Sequence, residues 1–281
     1  MAYFSGFSAT PTKLKTFLDC PRKYFFYYIN EETKYKQPER SYFTLGHHVH
    51  SALRDFFEID PGNRSPEALL ELLEKSWMTH RGKEAGFVTE EEEQMNKERA
   101  VKMLRSFFEW EDWQAKPYYL PRKEDKIPGY HSAKIEPLLT LGGAVDRIDE
   151  EPDGSLHVVD YKTGKGDDPD ELQLPIYAIV VSRAHNRAVS KMSYLMLEHG
   201  KRYTESVTIE GNMATLRRVK EIIAKIPTST RREDYVCPAG DNCRHCEYLL
   251  ELGFDPKTGK KVGGNGGGKS EEQLFSSDLP F

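Results

Sequence analysis

Three residues could carry chemistry together: Asp146, Asp160 and Lys162. Residues 157–165 read HVVDYKTGK, the end of an apolar run that stops at Thr163-Gly164. In a strand, residues two apart point to the same face, so Asp160 and Lys162 share one. Asp146 lies near the end of the preceding strand-like segment. If the two segments are neighbours, two carboxylates and an ammonium converge. Two hard oxygen ligands suit Mg²⁺ or Mn²⁺, which keep waters and take one or two carboxylates plus a substrate phosphate. A lysine beside such an ion can orient water or stabilise charge developing on phosphate. That chemistry is phosphodiester hydrolysis. The alternative open on these residues alone is a structural ion pair at a strand end.

Other residues could join them. Gly46-His47-His48-Val49-His50 gives G-x-x-x-H on a helix-like segment. A lone histidine there can equally be a satisfied structural residue. Gln173 and Tyr177 are four apart on another helix-like segment and so share a face. Cys237, Cys243 and Cys246 form C-x5-C-x2-C, and Cys20 lies far upstream in LDCPRKYFF. Cytosolic thiols stay reduced, so this spacing points to metal rather than to disulfides. Four thiolates suit tetrahedral Zn²⁺ or a [4Fe–4S] cluster, and spacing alone leaves both open. His245 is a possible substitute ligand.

The elements that must position these groups fall into two textures. The first half reads as helical: residues 12–29, broken at Pro21, then 44–57, 66–81 and 90–113. From Pro137 the pattern turns to strands. Residues 138–149 and 156–163 form an expected hairpin around the Pro152-Asp153-Gly154 turn. Residues 170–184 read as a helix kinked at Pro175, 191–198 and 203–209 as a second strand pair, and 212–226 as a helix of apolar period 3.6. Residues 257–269 (KTGKKVGGNGGGK) have linker composition. The expected domains are residues 1–255 and a linker with an acidic-aromatic tip, 256–281.

The chain has 281 residues, fifteen Tyr, fourteen Phe and a net charge of −5. A core is affordable, and a wholesale basic surface is excluded, so nucleic-acid binding would rest on local patches or bound metal. No secretory signal and no run of roughly 18 apolar residues is present, and a cytoplasmic location is expected. No G-x-x-x-x-G-K-[ST] sequence marks a helicase motor. Lys13, Lys15, Arg22 and Lys23 are candidate guides for a nucleic-acid strand, or a solvated helix face.

In order along the chain, G-x-x-x-H at 46–50, G-x-x-D-R-I-D from Gly143 to Asp149, DYKTG at 160–164 and LQLPIY at 172–177 resemble the RecB-like branch of the PD-(D/E)xK nuclease superfamily. Ala144-Val145 stands where the superfamily name has proline. The resemblance implies an α/β restriction-endonuclease-like core, with a central mixed sheet flanked by helices and a helical N-terminal region. It implies that His50, Asp146, Asp160 and the carbonyl of Tyr161 hold Mg²⁺ or Mn²⁺, that Lys162 is the catalytic lysine, and that Gln173 and Tyr177 contact DNA or brace the site. One cysteine before the core and three after it resemble the iron–sulfur subset, the AddB-type nucleases and CRISPR-associated RecB-like exonucleases. There Cys20, Cys237, Cys243 and Cys246 would hold a [4Fe–4S] cluster joining N- and C-terminal parts. Single-stranded DNA and 5′→3′ polarity are what the resemblance implies for activity, in recombination, replication or repair. A CRISPR adaptation nuclease trimming spacer precursors and a non-catalytic DNA-binding module are the alternatives. The terminal SSDLPF resembles the acidic Pro-Phe end of single-stranded DNA-binding proteins, and Gln273-Leu274-Phe275 loosely resembles a sliding-clamp-binding peptide. Either makes the tip a ligand for a replication or recombination partner.

Overall fold

The computed structural model describes residues 6–166, 170–240 and 243–262. The chain divides into two compact units: Met1–Ser8 with Glu39–Met213, and Ala9–Pro38 with Ala214–Phe281. The C-terminal tip and most of the expected linker lie outside the described residues.

In the larger unit, helix α3 (Ser41–Glu58) buries Leu45, Val49, Ala52, Leu53 and Phe56, the three-and-four spacing of a helix stripe. It packs on α4 (Pro66–Trp77) and α5 (Glu90–Trp110). Helix α4 starts where Ser65 Oγ accepts the Ala68 N–H and Pro66 occupies the first turn. Helix α5 starts at Thr89, with four glutamates in the first turn complementing the helix dipole.

The strands form two sheets. One has the order β1-β3-β2, from β1 (Phe7–Ala9), β2 (Tyr130–Glu136) and β3 (Leu139–Ala144). The other has the order β4-β5-β6-β7, from β4 (Arg147–Glu150), β5 (Leu156–Lys162), β6 (Val189–Met196) and β7 (Lys201–Ser206). It is mixed: β4 pairs antiparallel with β5, β5 parallel with β6, and β6 antiparallel with β7. The crossover from β5 to β6 is α6 (Gln173–His185), because parallel neighbours need a long connection. Val159, Tyr161, Leu195 and Leu197 join the core under α3, α4 and α5, while Val158, Met192 and Tyr194 join the core under α6. The four-stranded sheet is thus helix-covered on both faces, an α/β architecture.

The structure corrects several expectations. The segment 138–149 is two strands. β3 pairs in one sheet and β4 in the other, with Val145 and Asp146 between them, so only β4 forms the hairpin with β5. Strands β1 and β2 were not expected: β1 is only three residues long, and the alternation of β2 rests on His131, Ala133 and Ile135 rather than on large apolar residues. Helix α6 begins at Gln173, where Asp170 Oδ1 accepts the N–H of Leu172 and Gln173. Pro175 therefore falls in the first turn, where a missing N–H costs nothing, and it makes no interior kink.

In the smaller unit, α1 (Pro11–Asp19), α2 (Pro21–Tyr24) and a π-helical turn (Phe25–Ile29) follow one another. Tyr24 and Phe25 pack on Tyr235, with ring centroids 6.1 Å and 5.3 Å apart. Helix α7 (Ile209–Ile223), of which residues from Ala214 on belong to this unit, buries Val219, Ile222 and Ile223, and α8 (Tyr248–Glu251) buries Leu249. Residues expected to open the linker instead turn back: Phe254 bridges Lys261, and Gly259, at φ 70°, sits so close to the Phe26 ring that a Cβ would collide with it.

Candidate active site and cysteine centre

Strand β5 supplies the middle of the site. Its alternation sends Asp160 and Lys162 towards α6 and Tyr161 towards α3. Asp160 is buried, and its Oδ1 accepts from Gln173 Nε2 at 2.9 Å. Its Oδ2 stands 2.8 Å from Lys162 Nζ, an ion-pair distance, yet no donor is aimed at that oxygen in hydrogen-bond geometry. Lys162 Nζ donates to Gln173 Oε1 at 2.6 Å and lies 5.1 Å from the centroid of Tyr194. An ammonium has only donors, so it turns the amide oxygen of Gln173 towards itself and leaves the NH₂ for Asp160. The same Nε2 donates to the Tyr177 hydroxyl at 3.0 Å. Gln173 and Tyr177, one helical turn apart, therefore brace Asp160 and Lys162.

Asp146 occupies the break between β3 and β4. Its Oδ2 accepts the Tyr161 backbone N–H at 2.8 Å, and its Oδ1 accepts from His50 Nδ1 at 2.8 Å. The side chains of His50 and Asp146 remain 23% and 21% exposed, which leaves the pair open to a ligand. His48, two residues earlier, is fully engaged by Ser76 Oγ and the His80 carbonyl, so it is a structural histidine.

Two motif glycines have a steric reason. A Cβ on Gly46 would come within 3.2 Å of Thr163 Oγ1, so α3 crosses close to the end of β5 and His50, a turn later, reaches Asp146. A Cβ on Gly143 would lie 2.2 Å from Tyr177 Cε1, so only glycine lets that ring lie against β3.

The two carboxylates differ electrostatically. Burial opposes the Asp146 charge, but His50, the Tyr161 N–H and Lys162 outweigh it and hold the carboxyl below its ordinary range. Burial also raises Asp160. Lys162 offsets part of this and the neighbouring Asp146 adds to it, leaving a pKa of about 6. Burial works against the His50 cation, but Asp146 outweighs it and the imidazole is raised.

The donor types suit a hard divalent cation, but only His50 and Asp146 stand close enough to share one as placed, and Asp160 lies apart from that pair. Ligand atoms around an octahedral ion with bonds of about 2.1 Å stand about 3 Å apart, and His50 Nδ1 and Asp146 Oδ1 are 2.8 Å apart. The buried, undonated Oδ2 of Asp160 is a further oxygen of the same kind. Asp160 leans towards Lys162 rather than towards the His50–Asp146 pair, as two neighbouring carboxylates with separate cationic partners should.

Among the described residues, the one group of three metal-ligating side chains with atoms within 4.8 Å of one another is Cys20, Cys237 and Cys243. Cys20 Sγ is 3.7 Å from both Cys237 Sγ and Cys243 Sγ. Cys20 lies at the junction of α1 and α2, where it also accepts the Lys23 N–H. Contact with Cys246 and burial hold the Cys20 thiol well above its ordinary range, and burial pushes Cys243 up to about 11. Thiols packed together become good ligands when a cation displaces their protons. All four cysteines are free of disulfides. Three of these thiols could hold a metal, with Cys246 adjoining. The sulfur edge of a tetrahedral thiolate site is about 3.8 Å for metal–sulfur bonds of about 2.3 Å. The two Cys20 contacts of 3.7 Å are close to that edge.

The candidate strand guides belong to the cysteine-bearing unit and are partly committed. Lys15 pairs with Asp19, Lys13 lies over the Tyr28 ring, and Arg22 donates to the Gly240 carbonyl. Sequence reasoning gave no role to Tyr194, whose ring faces Lys162 and whose hydroxyl donates to the Asp170 carbonyl. No signal within residues 189–196 marks it. No helix of the described residues is long and apolar enough to cross a membrane.

Residues 8–249 match the family model of the PD-(D/E)XK nuclease superfamily. No curated protein matches the chain. Among solved structures, a protein of Eubacterium rectale described as "Putative exonuclease" is similar at 12% identity and a TM-score of 0.47, over 85% of this chain and 86% of that one. The family match spans most of the chain, which therefore belongs to the PD-(D/E)XK nuclease superfamily.

Proposed function

We propose that this member of the PD-(D/E)XK nuclease superfamily is a Mg²⁺- or Mn²⁺-dependent DNA exonuclease acting on single-stranded DNA with 5′→3′ polarity. The observation that carries the reading is the braced set around β5: Asp146 and Asp160 on either side of the Tyr161 backbone, with Lys162 and Gln173 closing one flank. His50, Asp146, Asp160 and the Tyr161 carbonyl are the groups that would hold the cation. When bound, the cation supplies Lewis acidity towards a phosphoryl oxygen and towards water. Lys162 brings a fixed positive charge to the scissile phosphate. Gln173 bridges that ammonium and Asp160, giving each a hydrogen-bond partner beside their ion pair. Tyr194 lies against the partly exposed lysine and Tyr177 holds Gln173. Substrate class and polarity follow the resemblance of the motifs to the RecB-like branch.

The four cysteines are read as ligands of a structural [4Fe–4S] cluster, on the strength of the three-plus-one cysteine pattern. A single Zn²⁺ is the second reading, favoured by the 3.7 Å sulfur contacts. Iron, sulfide and zinc analysis of anaerobically purified protein decides between them. The biological setting proposed is cytoplasmic recombination, replication or repair, with the tip from residue 270 to 281 as a partner ligand. Truncation at residue 269 should abolish partner binding and spare cleavage.

Single-stranded DNA labelled at either end, incubated with Mg²⁺ and with Mn²⁺, tests the main reading. Early mononucleotide release from the 5′ label, with the 3′ label retained in long products, is expected. Products cut only internally would contradict the exonuclease assignment, and early release from the 3′ label its polarity.

A further inference from the structure

Arg147 follows Asp146 directly, and nothing in the proposed chemistry uses it. Its side chain is 1% exposed. One guanidinium nitrogen donates to Glu111 Oε1 at 2.9 Å and stands 2.9 Å from Asp149 Oδ2. Nε donates to that same Asp149 oxygen at 3.1 Å, and Nη1 donates to the Tyr161 hydroxyl at 3.2 Å. The guanidinium lies 4.6 Å over the Phe57 ring, and Arg202 meets the other Glu111 oxygen at 3.2 Å. Burying such a cluster is a poor route to stability, since desolvation of the charges offsets most of their attraction. Its geometry has another consequence.

Asp146 and Arg147 each bind Tyr161, at opposite ends of that residue. The Asp146 carboxylate takes the Tyr161 backbone N–H, and the Arg147 guanidinium takes the Tyr161 hydroxyl. Helix α3 repeats the pattern. His50 meets Asp146, and Phe57, seven residues on and so on the same helical face, lies beneath Arg147. The dipeptide at the break between β3 and β4 is therefore held at two points by β5 and at two points by α3.

We propose that Arg147 is a positioning residue, whose guanidinium, anchored by Glu111 and Asp149, fixes the Tyr161 side chain and thereby the placement of Asp146 against the Tyr161 backbone. This rests on the reading of Asp146 and the Tyr161 carbonyl as cation ligands. It makes the rigid fork of arginine necessary at this position, because a lysine keeps the charge but cannot meet Glu111, Asp149 and Tyr161 at once.

Replacing Arg147 outright can unfold the chain, because Glu111 would be left buried with less compensation. The test therefore uses Tyr161→Phe, which removes one hydroxyl and keeps the ring, beside Arg147→Lys, with Asp160→Asn as the variant lacking a ligand. Mn²⁺ binding to the full chain is titrated by the electron paramagnetic resonance of the free ion, and kcat and KM are measured on single-stranded DNA. Thiolates are poor Mn²⁺ ligands, so the cysteines do not interfere. Tyr161→Phe is expected to melt near the wild-type temperature, to bind Mn²⁺ about tenfold more weakly, and to lose kcat with KM for DNA unchanged. Arg147→Lys should shift in the same direction, and the double variant should be no worse than Arg147→Lys alone, because both break one linkage. A folded Tyr161→Phe with wild-type Mn²⁺ affinity and kcat overturns the positioning role. A wild-type chain that binds no more Mn²⁺ than Asp160→Asn overturns the nuclease reading beneath it.

Discussion

The carboxylate site and the cysteine centre solve opposite problems with charge. Around β5 every ionisable group already has a partner in the chain: Asp146 has His50, Asp160 has Lys162, and Arg147 has Glu111 and Asp149. At the cysteines the thiols meet mainly other thiols, and two of them are held towards the protonated state. The first arrangement is held by its own ion pairs, and on the proposed reading a cation there would serve chemistry. The second would gain charge only with a cation, which on that reading would serve the fold. Loss of metal should accordingly silence the one and loosen the other.

The largest expected effect is at the cysteines. Cys237→Ser should destabilise the smaller unit by more than about 4 kcal/mol. Limited proteolysis should then cut within residues 9–38 or 214–262 well before the larger unit. Wild-type resistance in Cys237→Ser would remove the contrast.

A second effect concerns a histidine that the larger unit keeps neutral. Burial, with Arg202 adding to it, lowers His157 to about 4, against a weaker pull from Glu151; it bonds Ser193 Oγ at 2.7 Å. Its folded pKa lies below the unfolded value near 6.5, so the unfolded chain takes up a proton first as pH falls. Stability is therefore complete above about pH 6.5 and is lost down to about pH 4, by about 3 kcal/mol for this residue alone. Urea unfolding at pH 7.5 and pH 5 should show the loss in wild type and a smaller loss in His157→Gln. Equal slopes would reject it.

The smallest effect sharpens how closely the carboxylate site is fitted. Gly143→Ala should cost about 1–3 kcal/mol, since its Cβ must push the Tyr177 ring aside. It should also lower kcat, because Tyr177 braces Gln173. A thermal midpoint and a kcat both at wild-type values would show that the ring has room to move.

Much of this was legible in the sequence because motif spacing reflects contacts. D-x-K needs only the two-residue period of a strand, and Q-x-x-x-Y only one helical turn, so local rules sufficed for Asp160, Lys162, Gln173 and Tyr177. Helices α3, α4 and α5 carry apolar stripes, and α4 and α5 also capping residues, and they were expected within a few residues of their bounds. The split of residues 138–149 was hidden, because which sheet a strand joins is decided by partners far away in sequence. Tyr194 and the Glu111–Arg147 linkage were hidden for the same reason. Glu111 ends α5 as an ordinary polar residue, and only the fold brings it under β4.

The most direct test of the account is nucleotide release from single-stranded DNA by wild type and by Lys162→Ala, under identical Mg²⁺ and Mn²⁺ titrations. Lys162 is partly exposed and lies at a strand end, so the variant should fold with a near-wild-type melting temperature. Its kcat should fall by about 10²–10³-fold, while wild-type cleavage should vanish on chelation of the divalent cation. A folded Lys162→Ala that cleaves as fast as wild type, or wild-type cleavage that persists in the chelator, would contradict the central claim.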